Sequence, residues 1–268
     1  MEEFLNWTAW LIDPPKPYGA FHILFTLLGF TGCWLLAGKL KNTDEKQNNI
    51  VLLTVGLFLF LSEIYKQLLY YYVINDRNYA WWIFPFQMCS IPMYFCLALP
   101  FIKNVKIKSY LYNFIASFNL MGGFISFFEP SGLLNRYLML TIHSLLWHMT
   151  LVFVGFYIVR SKRAATSFKD FKQAVVVFLI LCFMAFNINL LFYDVSNGSI
   201  NMFFLGPVNS PIIVFKDIAR TYGWYVNLPI YILANCLGAE IFYYVLCKIN
   251  NREIIHKTSG KLRFKKAK

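Results

Sequence analysis

The chain has 268 residues, of which 58% are hydrophobic and only 14% charged. A soluble globular chain carries about 25% charged residues, and one of this length needs far more polar surface to cover its core. The net charge of +12 does not point to nucleic acid. The basic residues lie between apolar runs and in the tail, the pattern of cytoplasmic membrane faces that attract anionic headgroups. A soluble enzyme or nucleic-acid-binding domain is thereby excluded, and the prediction is an all-α, polytopic bundle in the cell membrane with membrane lipids as its partners.

The first residues, Met1-Glu2-Glu3-Phe4, are acidic where a cleavable signal peptide is basic. Residues 1–17 therefore read as an extracellular segment ahead of a retained first helix. A helix needs about 20 mostly apolar residues to cross the hydrocarbon. Seven stretches qualify: Tyr18–Ala37, Ile50–Val73, Trp82–Ile102, Tyr110–Phe128, Leu138–Val159, Phe171–Tyr193 and Tyr222–Cys247. They make residues 18–247 a transmembrane domain of about seven helices and leave 248–268 as a basic cytoplasmic tail.

The connectors alternate in charge. Lys39, Lys41 and Lys46 follow the first helix; Lys103, Lys106 and Lys108 follow the third. Arg160, Lys162, Arg163, Lys169 and Lys172 follow the fifth, and the tail is rich in lysine. The opposite connectors are poor in basic residues, so the positive-inside rule predicts the N-terminus outside and the C-terminus in the cytoplasm. The longest connector, from Asp194 to Thr221, mixes Gly198, Gly206, Pro207 and Pro211 with apolar Met202, Phe203, Phe204 and Leu205. That composition predicts a segment lying on the membrane surface or folding back as a lid.

The cysteines, Cys33, Cys89, Cys96, Cys182, Cys236 and Cys247, fall in or beside apolar segments without metal-ligand spacing. They read as free thiols, and no metal or cofactor is called for. Ionisable groups in the hydrocarbon are costly, so each is a candidate for function. At a rise of about 1.5 Å per residue, Glu63, Lys66, Gln87, Cys89, His143 and His148 fall in the outer half of the membrane, with Asn119, Asn187 and Asn189 in the same layer. A shared depth predicts a polar chamber open to the outer leaflet. Each member also has a structural reading. Glu63 and Lys66, at i and i+3, can neutralise one another; His143 can be a hydrogen-bonded core histidine; Cys89 can be a small apolar residue; Asn and Gln can join helices.

Several short segments carry a resemblance in their shared order: Ser62-Glu63-Ile64-Tyr65-Lys66, Phe84-Pro85-Phe86-Gln87-Met88-Cys89-Ser90, Trp147-His148, Asn201-Met202-Phe203-Phe204-Leu205 and Tyr222-Gly223-Trp224-Tyr225. They resemble the YwaF family of bacterial membrane proteins, related to the transmembrane-protein-164 acyltransferases of animals. The resemblance implies a phospholipid acyl-transfer enzyme that uses a membrane cysteine with a histidine. His148 matches a histidine the family keeps. The animal motif Asn-Pro-Cys-His aligns its cysteine with Phe86 and its histidine with Gln87, so the nucleophile does not carry over at that position. Cys89, three residues on, is the candidate in its place.

Two functions follow. In the first, an acyltransferase or lipid hydrolase, Cys89 is the nucleophile and His148 the base. Gln87 or Asn119 donates to the oxyanion, and Glu63, Lys66, His143 and Asn187 line the substrate site. In the second, the same chamber binds or transports a lipid or small molecule without chemistry. A retinal pigment is disfavoured, because no lysine lies between Tyr222 and Cys247.

Overall fold

A computed structural model describes residues 1–208 and 212–266, with side chains through Asn250. Among the described residues every regular element is helical, apart from one isolated bridge between Leu11 and Tyr137. A short helix α1 (Glu2–Thr8) precedes α2 (Ala20–Lys39) and α3 (Glu45–Leu69), which continues as a π-turn over Tyr70–Ile74. Then follow α4 (Ile91–Ala98), α5 (Val105–Phe114), a π-turn over Ile115–Asn119, and α6 (Leu120–Phe128). The chain closes with α7 (Leu138–Arg160), α8 (Phe171–Leu191), α9 (Phe215–Tyr222) and α10 (Trp224–Lys266). The tail expected over 248–268 falls largely outside the residues with described side chains.

Six of these helical runs are long and apolar enough to cross a membrane: Ala20–Lys39, Glu45–Ile74, Val105–Phe128, Leu138–Arg160, Phe168–Leu191 and Trp224–Asn250. The expected third helix, Trp82–Ile102, differs. Only Ile91–Phe101 is a short apolar helix, and the residues before it are irregular apart from a 3-10 turn over Trp81–Ile83. Pro85 supplies the reason. The residue before a proline is driven out of the helical region, and Phe84 is extended at φ −48°, ψ 133°. Helix resumes where Pro92 occupies the first turn of α4, a position that has no need of its N–H.

Local chemistry fixes the other starts. Asp44 and Gln47 form a reciprocal capping box on α3, at 2.8 and 3.1 Å. Asn104 caps α5 by accepting from the amides of Lys106 and Ile107.

The elements run between two ends of a bundle. At the end where α2 begins, the Tyr18 hydroxyl donates to Phe128 O at 2.7 Å, the Ile12 amide donates to Arg136 O at 2.8 Å, and Arg77 pairs with Glu2 at 2.9 Å. At the other end Arg163 donates to Thr43 O at 3.1 Å, Lys108 pairs with Glu45, and Asn250 donates to Ala165 O at 3.1 Å. Lys39, Lys103, Lys106, Arg160, Lys162, Lys169 and Lys172 flank this second, basic end. The composite third segment leads from one end to the other. A Cβ on Gly56 of α3 would stand 2.8 Å from the Leu97 side chain and 2.9 Å from its backbone nitrogen, so α4 lies against the part of α3 toward the basic end.

Aromatic rings fill the centre: Phe114, Phe118 and Phe178 stack, the last two with centroids 4.2 Å apart. Glycines draw α6 against α7, where a Cβ on Gly155 would stand 2.8 Å from Leu120. The outward faces of α2, α8 and α10 expose Leu27, Leu28, Phe183, Leu233 and Leu237. A water-facing protein does not carry apolar surface on that scale; a lipid-facing one does.

Candidate functional site

The irregular segment between Tyr79 and Ser90 crosses the faces of α3 and α7, and side chains pin its backbone at successive points. Gln67 Nε2 donates to Ile83 O at 2.7 Å, the Tyr94 hydroxyl to Pro85 O at 2.7 Å, and Trp147 Nε1 to Cys89 O at 3.0 Å. A loop inside a membrane bundle needs such donors, because no water meets its carbonyls there.

On α3, Glu63 is buried and pairs with Lys66 at 2.8 Å. Gln67 Nε2 adds a hydrogen bond to Glu63 Oε1 at 2.7 Å. The Lys66 ammonium stands 5.9 Å from the centroid of the Trp147 ring, and His143 stacks on that indole at 5.3 Å. Lys66 is close enough to act electrostatically on Cys89, His143 and His148, and Glu63 acts on Cys89, Tyr79 and Tyr94. Lys66 and His143 thus flank the Trp147 ring, whose N–H holds the Cys89 carbonyl, and His148 is the next residue along α7.

The two histidines are held differently. His148 Nδ1 lies 2.8 Å from Ser144 O one turn back. A carbonyl only accepts, so Nδ1 carries the proton and Nε2 of the neutral ring keeps its lone pair. His143 has its ring beside the Ser62 backbone, and its Nε2 is buried without a hydrogen bond. No hydrogen bond joins Cys89 to His148 among the described residues.

The remaining predicted residues hydrogen-bond to other partners. The amide of Gln87 is occupied: Nε2 donates to Asn201 O at 3.0 Å and Oε1 accepts from the Phe203 amide at 2.9 Å. From the other side Asn189 of α8 accepts from the Met202 amide at 2.6 Å and donates to Met202 O at 2.9 Å. The connector between α8 and α9 thus folds back into the bundle, where Ile200, Met202, Phe203 and Leu205 are buried. Phe203 and Phe204 both take positive φ, at 54° and 56°, a conformation that costs a bulky residue and is held by its surroundings. Asn119 closes the π-turn and donates to Ile115 O and to Leu151 O of α7; its Oδ1 is buried without a partner. Among the described residues Asn187 hydrogen-bonds only to Phe183 O on its own helix.

Gln67 and Tyr94 were not among the predicted residues. Gln67 carried a signal, since it sits four residues after Glu63 on the same helical face. Tyr94 carried none.

A helical membrane protein with a buried ion pair, two histidines and a cysteine-bearing irregular segment is the class that fold and site define. The chain belongs to the TMEM164 family, whose model matches residues 17–246. Neither a curated protein nor a solved structure matches it.

Proposed function

We propose that the protein acts on membrane lipids and transfers or hydrolyses an acyl chain, with Cys89 as nucleophile and His148 as base. One observation carries the reading: His148 keeps its Nε2 lone pair, and it follows Trp147, whose indole holds the Cys89 carbonyl and meets the Lys66 ammonium. His148 Nε2 takes the thiol proton as sulfur bonds to the ester carbonyl carbon. The ester C–O bond then breaks, the lysolipid oxygen takes the proton from His148, and the thioester passes its acyl group to another hydroxyl or to water. A base and its nucleophile can close up only when substrate is bound. Glu63, His143, Gln87, Asn119 and Asn187 border or support the lipid site in this reading.

The proposal includes the orientation, a cell-membrane location, seven passes and a kinship with the YwaF proteins. The basic end faces the cytoplasm under the positive-inside rule, which puts the polar group in the outer half of the bilayer. Membrane-impermeant thiol reagents test this directly. Arg77→Cys labels in intact cells and Lys103→Cys does not; the reverse overturns the orientation.

A second reading, lipid binding or transport without chemistry, is favoured by Phe86 and Gln87. The resemblance aligns them with the cysteine and histidine of the animal motif; Phe86 packs on Phe203 at 5.9 Å, and Gln87 holds the fold-back segment. Acyl transfer predicts that Cys89→Ala and His148→Ala each leave a folded protein and altered lipid acyl profiles. It also predicts that Cys89 reacts with an activity-based thiol probe in wild type and more slowly in His148→Ala. Unchanged profiles and an unreactive Cys89 establish the binding reading instead.

A further inference from the structure

Toward the basic end, a cleft of about 460 Å³ opens between α2 and α7. Its lining is Gly32, Leu35, Leu36, Gly38, Lys39 and Arg160. Apolar residues form the wall, two basic side chains stand at the mouth, and no acidic residue lines it among the described residues. Gly32 lies seven residues before Lys39, so the apolar wall runs roughly 10 Å from the charged end toward the bilayer centre at helical rise.

The arginine is placed rather than free to wander. Its guanidinium carbon sits 4.2 Å from the centroid of the Trp34 ring, and Trp34 packs edge-on against Phe156, one turn back on α7, at 5.0 Å. Gly38 leaves the room, since a Cβ there would come within 3.1 Å of that carbon. Stacking on an aromatic face fixes the plane of the guanidinium, the preorganised geometry in which arginine takes a phosphate. Gly32 lies on the exposed face of α2, and a Cβ built there meets nothing within 4 Å, so an apolar chain can lie against the helix at that point.

We infer that this cleft binds an anionic phospholipid, with its phosphate on Lys39 and Arg160 and an acyl chain along Gly32, Leu35 and Leu36. Charge complementarity selects the headgroup, and the apolar wall selects a lipid over a soluble phosphate. The site is separate from the residues proposed for acyl transfer.

The test uses the full chain purified in mild detergent, with native mass spectrometry of lipid retained per chain. The probes are phosphatidylglycerol, phosphatidylcholine with the same acyl chains, and glycerol phosphate. Wild type is expected to retain phosphatidylglycerol over phosphatidylcholine. Lys39→Gln and Arg160→Gln each cut that preference by roughly fivefold, the worth of one basic side chain near an anionic surface. Because Arg160 also stacks in the fold, Gly32→Phe serves as the second variant. Its Cβ meets nothing within 4 Å, it adds bulk to the cleft wall and keeps both charges, and it is expected to lower retention of phosphatidylglycerol. Equal retention of the two lipids by wild type, undiminished retention in Gly32→Phe, or equally tight binding of glycerol phosphate each overturns the proposal.

Discussion

The indole of Trp147 holds Cys89 by its backbone: Nε1 donates to the Cys89 carbonyl oxygen at 3.0 Å, while His143 stacks on the same ring. One side chain of α7 thus sets both the height of the irregular segment and the plane of a histidine. Trp147→Phe keeps an aromatic surface for His143 and removes the N–H. The carbonyl left without its donor is expected to cost about 1–3 kcal/mol, read as a lower unfolding temperature. Alkylation of Cys89 should change in rate as its segment loosens. Unchanged stability and unchanged alkylation would show that another group satisfies that carbonyl.

The fold-back segment is clasped from two sides, by Gln87 and by Asn189. Asn189→Leu leaves the Met202 N–H and C=O without partners, at about 1–3 kcal/mol for each buried group. Deuterium exchange is expected to rise at residues 201–206 and to stay level in the core of α7. Gln87→Leu should release the same segment. Once one clasp is gone the other holds less, so the double variant is expected to fall short of the sum of the single effects. Additive losses would mean that the two amides hold independent pieces of chain.

Gly56 decides how closely α4 approaches α3. A methyl there would meet both the side chain and the backbone nitrogen of Leu97, at 2.8 and 2.9 Å, and a backbone atom cannot swing aside. Gly56→Ala is expected to destabilise by about 1–3 kcal/mol through overpacking. Gly132→Ala is the control, because its Cβ meets nothing within 4 Å. Equal melting temperatures for the two variants would argue against the close approach.

The long helices were legible because hydropathy over about 20 residues reports them directly. The third segment was not, since an apolar run such as Trp81-Trp82-Ile83 looks the same whether a buried stretch is helix or loop. Only Pro85 marked the difference, through its effect on Phe84. Depth along a helix set Lys66 and His143 at the level where both meet the Trp147 ring. Direction around the helix was not legible. Asn187 and Asn189 share a depth but point about 200° apart at 3.6 residues per turn. Asn189 therefore turns inward to Met202 while Asn187 bonds to Phe183 on its own helix. Gln87 shared the depth as well, yet its amide was taken by a segment more than a hundred residues away, which no local pattern announces.

The Glu63–Lys66 pair separates a structural role from a functional one. Glu63→Gln removes the carboxylate but keeps an oxygen to accept from Gln67, so its main effect is to leave the ammonium unpaired. Losing one partner of a buried pair costs about 3–5 kcal/mol, and Lys66→Met should cost a similar amount by stranding the carboxylate. Removing both charges together in Glu63→Gln/Lys66→Met relieves both and is expected to return stability close to wild type. Equal melting temperatures for the double variant and either single one would show that the charges are not coupled. The folded double variant then reports on function. If the pair serves the lipid site, cells carrying it show altered lipid acyl profiles or lipid binding despite a stable protein. If the pair only ties one turn of α3 to the next, those profiles match wild type.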